Sequence, residues 1–149
     1  GSTQNRIPAR KLKNVGTSAA VLSDLVKRLI EHLGQWCIEK VILSKQPDFI
    51  EKNQIILDAD KVGNIVLRYW KAGDRFSPRG INGSKKLARV MRDLHISAGE
   101  RRIWPLVADE NHIYWIAFLR GSNYGLPDKN TKKYLLITLK KENREDEES

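Results

Sequence analysis

Three glycines and a proline punctuate the stretch from Arg68 to Leu87 (RYWKAGDRFSPRGINGSKKL), so no regular strand or helix can run through it. Whatever this chain folds into must carry that stretch as a surface loop between a strand-like run, Asn64 to Trp70, and a helical pattern. The helical pattern is set by Leu87, Val90, Met91 and Leu94, which recur at i, i+3, i+4 and i+7. Gly83 and Ser84 are read as its flexible entry and N-cap hydroxyl. Lys85, Arg89 and Arg92 fall on the opposite side, with Lys86 near them.

Charge gives that loop its meaning. From Arg68 to Arg92 the chain places eight cations (Arg68, Lys71, Arg75, Arg79, Lys85, Lys86, Arg89 and Arg92) against one acid, Asp74. The whole chain of 149 residues carries 27 Lys and Arg against 18 Asp and Glu, a net charge of +9, so a polyanion is the expected partner, nucleic acid first. The reading is of an anion site assembled from cationic side chains, backbone N–H groups exposed by Gly80 and Gly83, and the positive end of a helix. Gly73 and Asp74 are read as its architectural anchor: Gly73 permits the turn, and Asp74 accepts backbone N–H groups or pairs with Arg75 or another nearby base.

Around this centre the expected organisation is α+β. Residues 1–16 form a basic arm with Arg6, Arg10, Lys11 and Lys13. Residues 17–50 are a connector, beginning with an amphipathic helix from Thr17 to Gly34 and continuing in a strand from Trp36 to Leu43. A domain over 51–141 follows, and an acidic tail over 142–149 is expected to be disordered. Within the domain, Gln54 to Asp58 and Asn64 to Trp70 read as a hairpin-like pair. Ile103 to Ala108, His112 to Leu119 and Lys133 to Leu139 read as further strands, the first two joined by a turn at Asp109-Glu110-Asn111. Mixed or antiparallel strands are thus expected around a central basic helix. Gly1-Ser2 is the kind of pair a cloning site leaves, so a longer natural protein is expected.

Catalytic chemistry is not legible in these residues. Gly80-Ile81-Asn82-Gly83-Ser84-Lys85 has two residues between its glycines where a P-loop needs four, and no Gly-Lys step precedes a Ser or Thr. The same GxxG suits a KH-domain clamp, but that clamp lies between two helices, and a strand-like run leads into this one. The one cysteine, Cys37 between Trp36 and Ile38, reads as a partly buried structural thiol. His32, His95 and His112 are scattered, and no metal site is expected. No cofactor is expected for this chain, and no membrane association. An alternative is a stand-alone structured-RNA-binding or protein-docking module with no associated enzyme, the docking form using Tyr69, Trp70 and Phe76 as anchors.

Taken together, Leu57-Asp58-Ala59-Asp60 and the spaced set Arg68, Trp70, Gly73-Asp74-Arg75-Phe76, Pro78, Gly80 and Gly83-Ser84-Lys85-Lys86-Leu87 resemble the C-terminal domain of bacterial tRNA(Ile)-lysidine synthetase. Asp93, Ile96, Glu100-Arg101, Pro105-Leu106-Val107, Ile113, Trp115 and Arg120 continue the resemblance, which spans roughly residues 55 to 140. Arg79, Val90 and Ile81-Asn82 depart from the family's usual residues. The resemblance implies a fold similar to a domain of the phenylalanyl-tRNA synthetase β subunit and a tRNA-binding role near the acceptor stem. It implies a cytoplasmic parent enzyme that uses ATP and Mg2+ to join lysine to the wobble cytidine of the CAU-anticodon isoleucine tRNA. Catalysis there belongs to a separate domain of the same polypeptide with a Ser-Gly-Gly loop, so this chain alone is expected not to be an enzyme, and the parent could be a homodimer.

Overall fold

The structure, a computed structural model, describes residues 36–141. The arm, the expected helix over 17–34 and the acidic tail lie outside the described residues.

Strand β1 (Trp36–Leu43), strand β9 (Tyr134–Lys141) and strand β2 (Gln54–Asp58) form one antiparallel sheet in the order β1-β9-β2. The pairing follows from alternation. Leu135, Ile137 and Leu139 of β9 are buried, as are Ile55 and Leu57 of β2, and the register sets Ile55 against Ile137 and Leu57 against Leu135. One face of the sheet is therefore continuously apolar. The same alternation turns Trp36 inward and Cys37 outward on edge strand β1, so the thiol is exposed rather than partly buried.

A second antiparallel sheet runs β3 (Val66–Arg68), β6 (Leu106–Ala108), β7 (Ile113–Ile116) and β8 (Arg120–Gly121). Every residue of β6 and β7 is buried, which is why these runs are apolar throughout instead of alternating. The expected hairpin between Gln54–Asp58 and the run after Asn64 does not form. β2 pairs with β9 and β3 with β6, in different sheets. A 3-10 turn at Ala59–Lys61, capped by the Asp58 carboxylate accepting from the Asp60 N–H at 2.9 Å, carries the chain from one sheet to the other.

Strands β4 (Arg75–Phe76) and β5 (Lys85–Lys86) make a two-stranded ribbon, and helix α1 (Leu87–Asp93) follows directly. All strand pairings among the described residues are antiparallel, and the strands pair with one another; α1 packs against the ribbon and is not a hub for the sheets. Leu87, Val90 and Met91 bury its inner face. Its end needs no glycine: His95 adopts a left-handed φ of 65°, the His95 N–H donates to the Arg92 carbonyl and the Ile96 N–H to the Met91 carbonyl, while Ile96 and Met91 are both buried. That is the double bond and apolar contact of a Schellman ending.

Candidate nucleic-acid interface

The loop is built from its base upward. Arg68 ends β3, and its guanidinium grips Asp74 with both nitrogens, Nη1 to Oδ2 at 2.9 Å and Nη2 to Oδ1 at 3.1 Å. The Lys71 N–H donates to the same Oδ2 at 2.8 Å, closing the turn that Gly73 enters at φ 91°. Burial alone pushes the Asp74 carboxyl up. The Arg68 hydrogen bonds, the Lys71 N–H and the two cationic charges outweigh it and hold the group below its ordinary value. Asp74 thus pairs with Arg68, not with its neighbour Arg75.

Asp74→Asn is expected to cost about 1–2 kcal/mol, several degrees of melting temperature, because it weakens a bidentate charged pair whose side chains are only 13% and 24% exposed. The carboxylate's contribution is present above the ordinary carboxylate range and is lost as pH falls through its lowered value. RNA binding should be unchanged or weaker. A variant that binds tRNA more tightly and melts like the parent would make Asp74 an element that repels wrong RNAs instead of an anchor.

Arg75 turns to the loop's far end, its Nε donating to Ser84 Oγ and its Nη2 to the Ser84 carbonyl, both at 2.9 Å. Ser84 is therefore not the N-cap. Lys85 and Lys86 are still extended, Lys86 occupies the N-cap position without a side-chain bond, and the Leu87 N–H donates to the Asp74 carbonyl at 2.8 Å. The helix begins two residues later than the pattern suggests and runs seven residues.

Backbone N–H groups of the loop also turn inward. Gly80 N donates to Asn123 Oδ1 at 2.9 Å, Arg79 N to the Gly121 carbonyl and Ile81 N to the Pro78 carbonyl. Gly80 and Gly83 are needed for shape, at φ 85° and 82°. These residues do not fit a nucleotide-phosphate cradle. Asn123 is the residue the sequence did not disclose: its Nδ2 reaches the carbonyls of Pro78 and Ile81 at 2.9 and 2.8 Å, so one side chain from the loop after β8 pins the whole turn. Its partners lie more than forty residues away, and no local pattern marks it.

Cationic side chains remain exposed on this frame. Arg75 and Lys86 stand opposite one another on the ribbon, Lys85 lies across from Phe76, Arg89 and Arg92 lie on the outer side of α1, and Arg79 lies over Gly121, where an added Cβ would meet its Nη2 at 2.8 Å. Lys71 is exposed beside the Asp74 turn. Arg68 is committed to Asp74. Of the aromatic residues, Phe76 is fully buried and Trp70 lies half-buried under Arg101, whose guanidinium carbon sits 4.9 Å from the ring centroid; neither is a free surface anchor. Tyr69 is exposed.

The comparisons place this frame. The tRNA(Ile)-lysidine synthase of Caldanaerobacter subterraneus subsp. tengcongensis is 40% identical over 115 residues, which is 76% of this chain and 25% of that protein. This chain spans about a quarter of the length of that relative. A crystal structure of a TILS C-terminal domain superposes with a TM-score of 0.61 at 24% identity, covering 72% of this chain and 85% of that one, and shares the fold. An N-terminal fragment of the phenylalanyl-tRNA synthetase β-subunit from Pyrococcus horikoshii aligns at 15% identity and a TM-score of 0.48, over 92% of this chain and 37% of that one. The family described as the TilS substrate C-terminal domain matches residues 65–137, which hold β3, the ribbon, α1, the second sheet and the first half of β9. Over those residues the chain carries a TilS substrate C-terminal domain.

Proposed function

We propose that this chain is the tRNA-recognition domain of a tRNA(Ile)-lysidine synthase and that it binds the acceptor stem through the β4–β5 ribbon, the Gly80–Gly83 turn and the outer side of α1. The observation that carries the reading is the ribbon's charge. Arg75 stands directly across from Lys86 with Lys85 beside it, and like charges opposite one another weaken a strand pair. A ribbon two residues long tolerates that best when a polyanion lies across it. Arg75, Arg79, Lys85, Lys86, Arg89 and Arg92 supply the phosphate contacts, with Lys71 at the margin. Gly80, Gly83 and Ser84 shape the loop, and Arg68, Gly73 and Asp74 brace it.

In the same reading the parent enzyme joins lysine to the wobble cytidine of the CAU-anticodon isoleucine tRNA with ATP and Mg2+, and another domain of its polypeptide carries that chemistry. Support comes from the relative named above, of which this chain spans about a quarter.

Binding should be measured against three RNAs: the whole isoleucine tRNA transcript, an acceptor-stem minihelix cut from it, and its anticodon stem-loop. The minihelix is expected to retain affinity within about threefold of the whole tRNA, because the phosphate contacts all fall on one stem. Full affinity for the anticodon stem-loop, with none for the minihelix, would move the contact to the other end of the tRNA.

A further inference from the structure

Beside the ribbon the surface opens into a cleft of about 400 Å³. Arg68, Arg75 and Ser84 line it on the basic side, and the β6–β7 turn with His112 lines it opposite, joined by Tyr124 from the loop after β8. The rings of His112 and Tyr124 are stacked, with centroids 3.8 Å apart and planes 14° from parallel, and Tyr114 meets His112 edge-on at 6.1 Å. Tyr124 is therefore the outer end of a short aromatic stack. One of its faces is taken by His112, yet the residue stays 38% exposed.

On the reading that this chain binds RNA, we infer that the cleft takes one unpaired nucleobase of that RNA, stacked on Tyr124 with the adjoining phosphate at Arg75. Aromatic side chains read RNA where bases are splayed out, since a paired base is already covered on both sides. Every base offers a π face, so a stack ending in an accessible ring accepts a base of any sequence. The volume lies in the range of small-ligand sites, enough for a nucleoside and too small for a base pair with its backbones. Arg75 serves both regions: it lines the cleft and stands across from Lys86 on the ribbon, so a strand whose last base enters the cleft runs its preceding phosphates over the exposed cations. A free nucleoside triphosphate suits the cleft less well. Glu110 and Asp109 line the same space, and a concentrated polyanionic tail would lie against them.

Two RNA hairpins with an identical stem test this, one blunt and one with a four-nucleotide 3′ single strand carrying 2-aminopurine. The protein is expected to bind the extended hairpin about tenfold more tightly than the blunt one and to quench the 2-aminopurine. Tyr124→Ala should bring the two affinities within about twofold and abolish the quench, with the blunt hairpin bound as before. Tyr124→Phe, which keeps the ring, should preserve both effects, so that a loss seen in both variants would point away from stacking and overturn the inference. Equal binding of the two hairpins by the parent protein would also overturn it and leave the RNA reading intact. If neither hairpin binds, the RNA reading fails and the inference with it. Displacement of the extended hairpin's quench by micromolar AMP would make the cleft a free-nucleotide site and overturn the unpaired-end assignment.

Discussion

Reversing Lys85, Lys86 and Arg89 to glutamate together is expected to weaken tRNA binding by at least about a hundredfold at 0.1 M salt. The slope of log affinity against log salt should become shallower by about 2–3, because each phosphate no longer neutralised releases about one counterion fewer. Fold loss is a poor rival explanation: all three side chains are exposed, and none of them holds a hydrogen bond across the ribbon or helix beyond the backbone ladder. The melting temperature should stay within a few degrees of the parent. A control that reverses two charges in place of three is Lys129→Glu with Lys132→Glu, two exposed lysines of the loop before β9. These lower the net charge without touching the ribbon, and should cost several-fold at most. If the control reversal flattens the slope as much as the ribbon reversal, binding follows net charge alone and the ribbon is no interface. If the ribbon reversal leaves the slope unchanged with the fold intact, the interface lies elsewhere.

What the sequence revealed and what it hid divide along a physical line. Trp36–Leu43 and Gln54–Asp58 are legible to the residue because strand alternation is a local property of consecutive side chains. Their partners are not, since β9 comes from the far end of the domain to lie between β1 and β2, and apolar alternation says which face is inward but not which strand is adjacent. The helix face was legible from Leu87, Val90 and Met91, whereas its first turn was not. Ser84 has the chemistry of an N-cap, and only the pairing of Arg75 with Lys86 draws the chain straight for two further residues and hands the hydroxyl to Arg75 instead. The charge of the candidate interface could be counted from composition. The pins that hold it, Asn123 on the turn and Arg68 on Asp74, are single polar residues whose partners are set by the tertiary fold, and a one-dimensional pattern carries no trace of them.

Asp109 is a third such residue, and its replacement is expected to cost more stability than that of Asp74. Its carboxylate ties the β6–β7 turn to the segment leading into β3. Oδ1 accepts the Asn111 and His112 N–H groups at 2.8 Å each, while Oδ2 accepts the Gly63 N–H at 2.8 Å and the Tyr114 hydroxyl at 2.6 Å. All four partners donate, so an acceptor-only carboxylate satisfies every one of them. Burial pushes the group up, but the Tyr114 hydroxyl and the three backbone N–H groups overcome this and bring its pKa down to about 2, while the Tyr114 hydroxyl is pushed up by burial and by the same carboxylate. Asp109→Asn keeps the shape and turns an NH2 group against two donors. It should cost about 3 kcal/mol, on the order of 10 °C in melting temperature. The sign with pH is fixed by the lowered pKa: the carboxylate's contribution is complete above the unfolded value near 4 and drains away as pH falls toward about 2. The stability gap between parent and Asp109→Asn, read by urea unfolding at each pH, should therefore narrow by about 2 kcal/mol between pH 5 and pH 2. Tyr114→Phe removes only one of the four donors and should cost less than half as much at neutral pH. A gap that stays constant down to pH 2 would mean that the hydrogen bonds matter by shape and not by charge, and an Asp109→Asn protein melting with the parent would remove Asp109 from the framework of the fold.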